Sequence, residues 1–298
     1  MDSPLSRDHV ALEHFALLSG EELHFVRSGV PGAQTVLLLH GLSQQSHYWN
    51  PTISKLLSDR PALDIIALDQ RGHGDSNVFT PQSDFSMDRL ALDARELLDF
   101  LGVEKAIVVG HSWGASVALR FGALFPEYTL AALLIDGGAF NPTDMIPAIY
   151  PGLKELRVAL RPPVGPFQQG DLIDYYTPMS QPEEISNTLS AIARTYREIA
   201  QGQYVTTIGI DRHMAVAEGL LEYSPAEDLN KIVVPLTVIR CEESQGARGW
   251  GLPLTQENAN IRVCYWYGCC HDVPLQRPAM VAELISNVIG IELGDDFD

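Results

Sequence analysis

One pentapeptide, Gly110-His111-Ser112-Trp113-Gly114, constrains the fold more than any other stretch of the chain. An apolar, β-branched run at 106–109 precedes it, typical of a strand buried on both faces, and residues 115–125 follow with helical spacing. A serine between two glycines at such a junction is held in a tight turn that projects its hydroxyl from the carboxyl edge of the sheet. The motif therefore predicts an α/β architecture and makes Ser112 a candidate nucleophile, although a serine here can also simply cap the helix.

The rest of the chain alternates strand-like and helical stretches from Thr35 onward, the pattern of a parallel, doubly wound sheet. Two apolar pieces at 14–18 and 23–26 predict a hairpin that opens the sheet. An amphipathic helix is expected over 84–101, ended by Gly102. The sequence also predicts strands at 130–134, 234–240 and 261–267, and a last helix at 278–290.

This alternation stops after Gly138. The stretch that follows is rich in proline and tyrosine and has mainly helical patches, at 182–200 and 210–221. At about 90 residues it is too long for a simple connection between core elements. We therefore expect a helical cap over the carboxyl edge of the sheet, where such folds bind ligands. The expected division is a core of residues 1–138 and 231–298 and an inserted cap of residues 139–230.

Four stretches, in order along the chain, resemble landmarks of the α/β-hydrolase family. Residues 35–42 resemble a strand followed by an oxyanion loop, and residues 65–76 resemble the next strand with its glycine-rich exit. The serine motif follows, and residues 268–274 resemble the loop that carries the catalytic histidine. The resemblance covers nearly the whole chain. It implies a mostly parallel, doubly wound sheet with an inserted helical cap, and Ser-His-acid chemistry at the sheet's carboxyl edge.

A serine nucleophile needs a base, and histidine suits because it accepts and returns a proton near neutral pH. The chain has nine histidines. His271 stands where the family resemblance places the catalytic histidine, so we predict that it is the base for Ser112. Its alternative role is that of an ordinary loop histidine.

The third member of such a site is a carboxylate that orients the histidine. The commonest family pattern would place it at position 244, where this chain has a serine after Glu242 and Glu243. Asp136 ends the strand that follows the serine motif and offers an alternative that some family members use. We favour Asp136, with Glu243 and then Glu242 as open alternatives. Asp136 could also be a structural acid in the turn before Gly137.

Acyl transfer needs hydrogen-bond donors for the oxyanion of the tetrahedral intermediate. The resemblance implies that two backbone N–H groups supply them, those of Leu42 and Trp113. Apolar and aromatic side chains around the site suit an apolar or aromatic substrate, although the same side chains could simply pack the cap against the core. The predicted substrate-binding residues are His111, Tyr150, Tyr175, Tyr176, Met179 and Met214.

The net charge of −18 argues against nucleic acid or an anionic membrane as a partner, because both would be repelled. We expect a small-molecule substrate, no cofactor and no metal, since no His/Cys pair has zinc-ligand spacing. The N-terminus has no secretory signal pattern, and the four cysteines lack a disulfide framework, so a cytoplasmic location is expected. The sequence leaves the oligomeric state open.

These features predict a serine hydrolase that cleaves a small ester or lactone through an acyl-enzyme on Ser112. Family members with an aspartate nucleophile, such as dehalogenases and epoxide hydrolases, are disfavoured because position 112 is serine. Carbon–carbon bond hydrolysis and amide cleavage remain compatible with the site. The alternatives are a cofactor-free oxygenase or perhydrolase, and a ligand receptor with a slow triad.

Overall fold

The computed structural model describes residues 12–18, 20–76, 84–140, 142–146, 149–163, 165–180, 185–242 and 258–293. Eight strands of this part of the chain form the main sheet. They are β1 (Leu12–Leu18), β2 (Glu21–Gly29), β3 (Gln34–Leu39), β4 (Leu63–Leu68), β5 (Ala106–His111), β6 (Thr129–Ile135), β10 (Leu236–Cys241) and β11 (Ile261–Trp266).

The strand order in this sheet is β1-β2-β4-β3-β5-β6-β10-β11. The β1–β2 hairpin and the β2–β4 pair are antiparallel, and the other neighbours are parallel. The predicted mostly parallel, doubly wound sheet is therefore confirmed. Because parallel strands end at the same edge, the loops after β3, β5, β6 and β10 meet there.

Ten α-helices accompany the strands within the described residues, and none of them is both long and apolar enough to cross a membrane. They are α1 (Asn50–Asp59), α2 (Met87–Leu101), α3 (Trp113–Leu124), α4 (Leu153–Ala159), α5 (Gln169–Tyr176), α6 (Ile185–Ile192), α7 (Ile210–Glu222), α8 (Pro225–Lys231), α9 (Val273–Gln276) and α10 (Pro278–Leu293). Short 3-10 turns span Ser46–Trp49, Pro126–Tyr128, Pro142–Met145, Thr177–Met179 and Ala193–Thr195.

The central strands of the sheet, β3 to β6, are buried on both faces, as their nearly continuous apolar sequences require. Alternate residues of β3 show this, because Leu37 and Leu39 pack against α2 and α3 while Val36 and Leu38 pack against α1 and α10. Successive side chains of a strand point to opposite faces, so one apolar strand contributes to two separate cores. The predicted helix at 84–101 begins later, at Met87, because Asp84 accepts a hydrogen bond from the Ser86 N–H and Ser86 caps the helix.

The stretch between β6 and α8 is less helical than its sequence pattern predicts. Beside α4, α5, α6 and α7 it contains a small sheet in the order β7-β9-β8, with β7 at Phe167–Gln168, β8 at Tyr196–Ala200 and β9 at Gln203–Thr206. The prediction of helix up to residue 200 is wrong from Tyr196 onward. A tight turn at Gly202, with φ of 71°, pairs β8 with β9, and short apolar patterns cannot separate helix from strand.

This stretch is tied to the sheet at several points. Arg194 forms ion pairs with Glu13 on β1 and Asp75 after β4, and Arg212 donates to the Gly72 carbonyl. The division of the chain into a core and an inserted cap stays a prediction.

Candidate active site

The turn at Ser112 has the geometry that the flanking glycines allow. Ser112 adopts φ 54° and ψ −118°, a region that residues with a Cβ rarely occupy and that is found where surrounding structure enforces it. A Cβ on Gly110 would lie 2.1 Å from the Gly114 carbonyl oxygen, and one on Gly114 would lie 2.3 Å from the Leu39 carbonyl oxygen. The backbone therefore passes through this turn only because both positions lack a side chain, and α3 begins directly after Ser112.

Three side chains form a hydrogen-bonded chain at the carboxyl edge of the sheet. The Ser112 Oγ lies 2.9 Å from the His271 Nε2, and the His271 Nδ1 lies 2.7 Å from the Asp136 Oδ2. Since a carboxylate can only accept, Nδ1 carries the proton, and the neutral ring therefore accepts the Ser112 proton at Nε2. The side chain of His271 is 48% exposed, whereas that of Asp136 is 4% exposed. These distances are the ones that a serine nucleophile, its base and an orienting acid require, and the catalytic roles of the three residues stay a prediction.

Asp136 is aimed at His271 by the strands beside it. It follows β6 with a φ of 49°, and its N–H donates to the Ile239 carbonyl on β10. Its Oδ1 accepts from the N–H of Cys241 at 2.9 Å, which leaves Oδ2 for the histidine. Glu242 instead accepts from the Gly268 N–H, at the start of the histidine loop, at 2.9 Å. Glu243 lies outside the described residues.

Two residues with aromatic rings, His111 and Tyr48, hydrogen-bond to the loop that carries His271. The His111 Nε2–H donates to the His271 carbonyl at 2.8 Å, and the Tyr48 hydroxyl donates to Asp272 at 2.9 Å. The rings of His111 and Tyr48 stack at 5.3 Å. Burial, with a contribution from the neighbouring His271, lowers the pKa of His111 to about 4, so this ring is uncharged at neutral pH. His111 is 2% exposed and supports the loop.

The loop after β3 runs directly against the nucleophile. A Cβ on Gly41 would lie 3.2 Å from the Ser112 Cβ. His40 fixes the start of the loop, because its Nε2 accepts from the Gln70 N–H while its carbonyl accepts from the Gln70 amide. Leu42 follows Gly41, and Trp113 is the first residue of α3, where backbone N–H groups lack partners within the helix. The oxyanion role of Leu42 and Trp113 stays a prediction.

The remaining predicted substrate-binding residues differ in their surroundings. Tyr176 is buried, and its hydroxyl lies 3.0 Å from that of Tyr196; burial raises its pKa. Tyr175 is 57% exposed, and Met179 packs against buried residues of the α1 face. Tyr150 and Met214 are half-buried. A role in substrate binding stays a prediction for all of them and for His111.

Sequence reasoning missed two contacts beside the site. Tyr48, in the 3-10 turn after the oxyanion loop, was not singled out, and neither was Ser43, whose hydroxyl lies 2.7 Å from the His213 Nδ1 on α7. Each joins residues more than a hundred positions apart. The sequence carries no local signal for such pairs.

One group of side chains within the described residues has metal-ligand spacing. The ligand atoms of His24, Asp69 and Asp75 lie within 4.8 Å of one another. Both oxygens of Asp69 already accept hydrogen bonds, Oδ1 from the Ser46 N–H and Oδ2 from the His24 Nδ1–H and the Asp75 N–H. Protein donors therefore satisfy this carboxylate without an ion.

Comparison with known proteins gives three kinds of likeness. The model of the alpha/beta hydrolase family matches residues 36–284. Epoxide hydrolase 4 of Mus musculus is 31% identical over 118 residues, 40% of this chain and 32% of that protein. The soluble epoxide hydrolase of Corynebacterium sp. (strain C12) is 38% identical over 108 residues, 36% of this chain and 35% of that protein. The matched part thus spans about a third of each relative's length.

Among solved structures, E-2-(acetamidomethylene)succinate hydrolase superposes with a TM-score of 0.70 at 20% identity. The superposition covers 94% of this chain and 99% of that one, and at this identity it shows a shared fold. The family model covers most of the chain, including the serine turn, the strand before Asp136 and the His271 loop. The chain belongs to the alpha/beta hydrolase family.

Proposed function

We propose that the protein is a serine hydrolase that cleaves a small ester or lactone through an acyl-enzyme on Ser112. The observation that carries this proposal is the hydrogen-bonded chain from Ser112 through His271 to Asp136. Family membership supports hydrolase chemistry in general. The choice of a carbonyl substrate comes from the identity of the nucleophile.

In the first half of the reaction the Ser112 oxygen attacks the carbonyl carbon as its proton passes to the Nε2 of His271. The carbonyl electron pair moves to the oxygen, which the N–H groups of Leu42 and Trp113 would stabilise. Asp136 holds the imidazolium in place through Nδ1–H. The intermediate then collapses, the bond to the alcohol oxygen breaks, and Nε2–H returns the proton to that oxygen, leaving an ester on Ser112.

In the second half, water replaces the alcohol. His271 takes one proton from the water, the resulting hydroxide adds to the acyl carbon, and the Ser112 oxygen leaves with the proton from Nε2. With a lactone the alcohol and the acid belong to one product molecule. The exposed edge of His271 supports this step, because water must reach the ring.

The names of the curated relatives make an epoxide a second candidate substrate. Opening of an epoxide by the Ser112 oxygen would leave an alkyl ether on the serine. Such an ether has no carbonyl carbon for water to attack, so the enzyme would be consumed after one turnover. An ester or lactone instead gives an acyl-serine that water cleaves. Epoxide hydrolysis here would therefore need water as the direct nucleophile.

Two features support the proposed substrate class, the net charge of the chain and the side chains of its middle segment. The net charge of −18 disfavours strongly anionic substrates. The tyrosines and methionines of the segment between β6 and α8 would provide apolar contact area in a cap over the site. We propose that residues 139–230 form this cap and select a small apolar or aromatic acyl group, in a cytoplasmic enzyme that needs no cofactor.

The test is labelling with a fluorophosphonate probe together with turnover of an ester, lactone and epoxide panel. Wild-type protein should label, and the Ser112→Ala variant should neither label nor turn over esters. Ser116→Ala, a serine one turn further along α3, is the matched control and should retain labelling. Absence of labelling in folded wild type, or epoxide turnover that survives Ser112→Ala, would contradict the proposal.

A further inference from the structure

The residue after Leu42 in the oxyanion loop has an unusual backbone conformation. Ser43 has a φ of 68°, in the left-handed region that residues with a Cβ rarely adopt. Ser43 is the third residue of a four-residue turn, which closes where the Gln44 N–H donates to the Gly41 carbonyl. A serine persists in such a conformation only where its surroundings hold it there. The contacts of its side chain identify what holds it.

The Ser43 hydroxyl is fixed by a histidine on α7. The His213 Nε2 lies 2.9 Å from the Leu160 carbonyl oxygen, which can only accept, so Nε2 carries the proton. The Nδ1 of the neutral ring is then an acceptor, and the Ser43 hydroxyl donates to it at 2.7 Å. His213 is buried, and burial lowers its pKa, which keeps the ring in this neutral form at pH 7.

The next two residues of the loop also contact the segment between β6 and α8. The Thr195 hydroxyl donates to the Gln44 side-chain oxygen at 3.4 Å, and the Gln45 amide donates to the Ala191 carbonyl at 2.8 Å. Three consecutive loop residues are therefore bonded to α6, its following 3-10 turn and α7. Of the three, Ser43 is next to the predicted oxyanion donor.

We propose that Ser43 and His213 are positioning residues that hold the oxyanion loop in its left-handed turn and so aim the Leu42 N–H at the reacting carbonyl. This inference rests on the proposed acyl-transfer function. The relay from the Leu160 carbonyl through His213 to Ser43 makes the oxyanion hole depend on where the segment carrying α4 and α7 sits. The position of that segment would then affect the rate of the chemical step as well as the contacts with substrate.

Two substitutions of His213 separate the two hydrogen bonds of its ring. In His213→Asn the side-chain oxygen can take the place of Nδ1 and accept from Ser43. In His213→Gln the longer amide reaches the position of Nε2 and keeps the Leu160 contact instead. If the Ser43 bond positions the loop, His213→Gln and Ser43→Ala lower kcat about 10- to 100-fold with KM little changed, since small misplacements near the reacting atoms cost this much. His213→Asn should keep most of the wild-type kcat.

The control is Glu218→Gln on the same helix α7, which removes a solvent-exposed ion pair with Arg157 of α4 and should leave kcat unchanged. Circular dichroism would establish that each variant is folded. If His213→Gln does not fold, Ser43→Ala alone tests the hydrogen bond. If the wild type is active and folded Ser43→Ala has the same kcat, this inference is overturned while the proposed function stands.

Hydrogen–deuterium exchange of a peptide containing residues 41–45 gives a second measurement that needs no turnover. Exchange should become faster in Ser43→Ala and His213→Gln and stay near wild type in His213→Asn. If wild type neither labels nor hydrolyses, the proposed function fails, and exchange still tests the contact. Unchanged exchange in both Ser43→Ala and His213→Gln would show that the contact does not hold the loop.

Discussion

Within the described part of the chain, two histidine–aspartate pairs have nearly equal hydrogen-bond distances but differ in solvent exposure. In the His271–Asp136 pair Nδ1 lies 2.7 Å from the carboxylate, and in the His24–Asp69 pair the distance is 2.8 Å. Both aspartates directly follow a strand of the main sheet, β6 and β4 respectively. The side chain of His24 is 0% exposed, whereas that of His271 is 48% exposed. Only in the His271–Asp136 pair does Nε2 meet a serine hydroxyl.

The two pairs differ in the hydrogen-bond donors and the solvent access that the surrounding residues give them. Three donors hold Asp69, whose burial alone would raise its pKa; the His24 hydrogen bond and the other contacts outweigh burial and lower the pKa of Asp69 to about 2. This pair is a closed structural unit. Asp136 instead accepts from the Cys241 N–H with one oxygen and contacts His271 with the other, and His271 is exposed to solvent and lies within hydrogen-bond distance of the Ser112 hydroxyl. The same two side chains thus serve stability in one place and chemistry, as proposed, in the other.

The largest contrast is expected between His271→Ala and His24→Ala. Removing His271 should lower kcat by roughly 10⁶-fold, the scale expected when a serine triad loses its base. Because this ring is half-exposed, water can take its place beside Asp136, so the free energy of unfolding should fall by only about 1 kcal/mol. Ester turnover and urea denaturation would measure the two effects. A His271→Ala variant that keeps more than a hundredth of the wild-type kcat would remove the contrast.

The second effect concerns the acid. Asp136→Asn should lower kcat by about 10⁴-fold, because an amide donating to Nδ1 stabilises the tautomer whose Nε2 cannot accept the Ser112 proton. The Asn oxygen can still accept from the Cys241 N–H, so the variant should fold. Glu242→Gln and Glu243→Gln are the matched controls, measured by the same ester assay. If Glu243→Gln costs more activity than Asp136→Asn, the acid is Glu243.

A smaller effect, on stability, is expected at the buried pair. His24→Ala should reduce the free energy of unfolding by about 2–3 kcal/mol, because it removes a buried hydrogen bond to a charged carboxylate. Urea denaturation of wild type and variant measures this loss, and kcat per folded molecule should stay within an order of magnitude. Loss of turnover in folded His24→Ala, comparable to that of His271→Ala, would show that the two pairs are not functionally distinct.

The last effect, similar in size but visible only in acid, is the pH response of the same pair. The pKa of Asp69 is depressed to about 2 in the folded protein, against about 3.9 in an unfolded chain. Its contribution is therefore complete above pH 4 and is lost as the pH falls towards 2, a total of about 2–3 kcal/mol. Urea denaturation between pH 5 and pH 2 should show a steeper decline for wild type than for Asp69→Asn. Parallel declines would mean that Asp69 is not the group responsible.

Much of the fold could be predicted because the relevant signals are local. The apolar run before Ser112 predicted β5, and the periodicity before Gly102 predicted α2, since burial on two faces or on one stripe leaves a distinct pattern. The β8–β9 hairpin could not be predicted in this way. Its residues are mostly exposed or half-buried, so neither periodicity is strong, and the pairing depends on the turn at Gly202.

The candidate site was likewise predictable in part. Ser112, His271 and Asp136 were predicted from motifs and strand ends, because parallel strands end at one edge of the sheet. Whether Asp136 or Glu242 faces the histidine could not be read from the sequence. The side-chain direction depends on the left-handed backbone of Asp136 and on the Cys241 N–H of the neighbouring strand.

The sequence by itself determined the strand–helix order, the position of the serine turn and the edge of the sheet where the polar residues gather, because these follow from local backbone preferences and burial patterns. Only the tertiary structure decided which histidine–aspartate pair is buried and which is open, and which residue contacts Ser43 in the loop after β3. These outcomes depend on contacts such as Ser43 with His213, between residues 170 positions apart. Local sequence patterns do not indicate such contacts, since they form only when the segment between β6 and α8 packs against the main sheet.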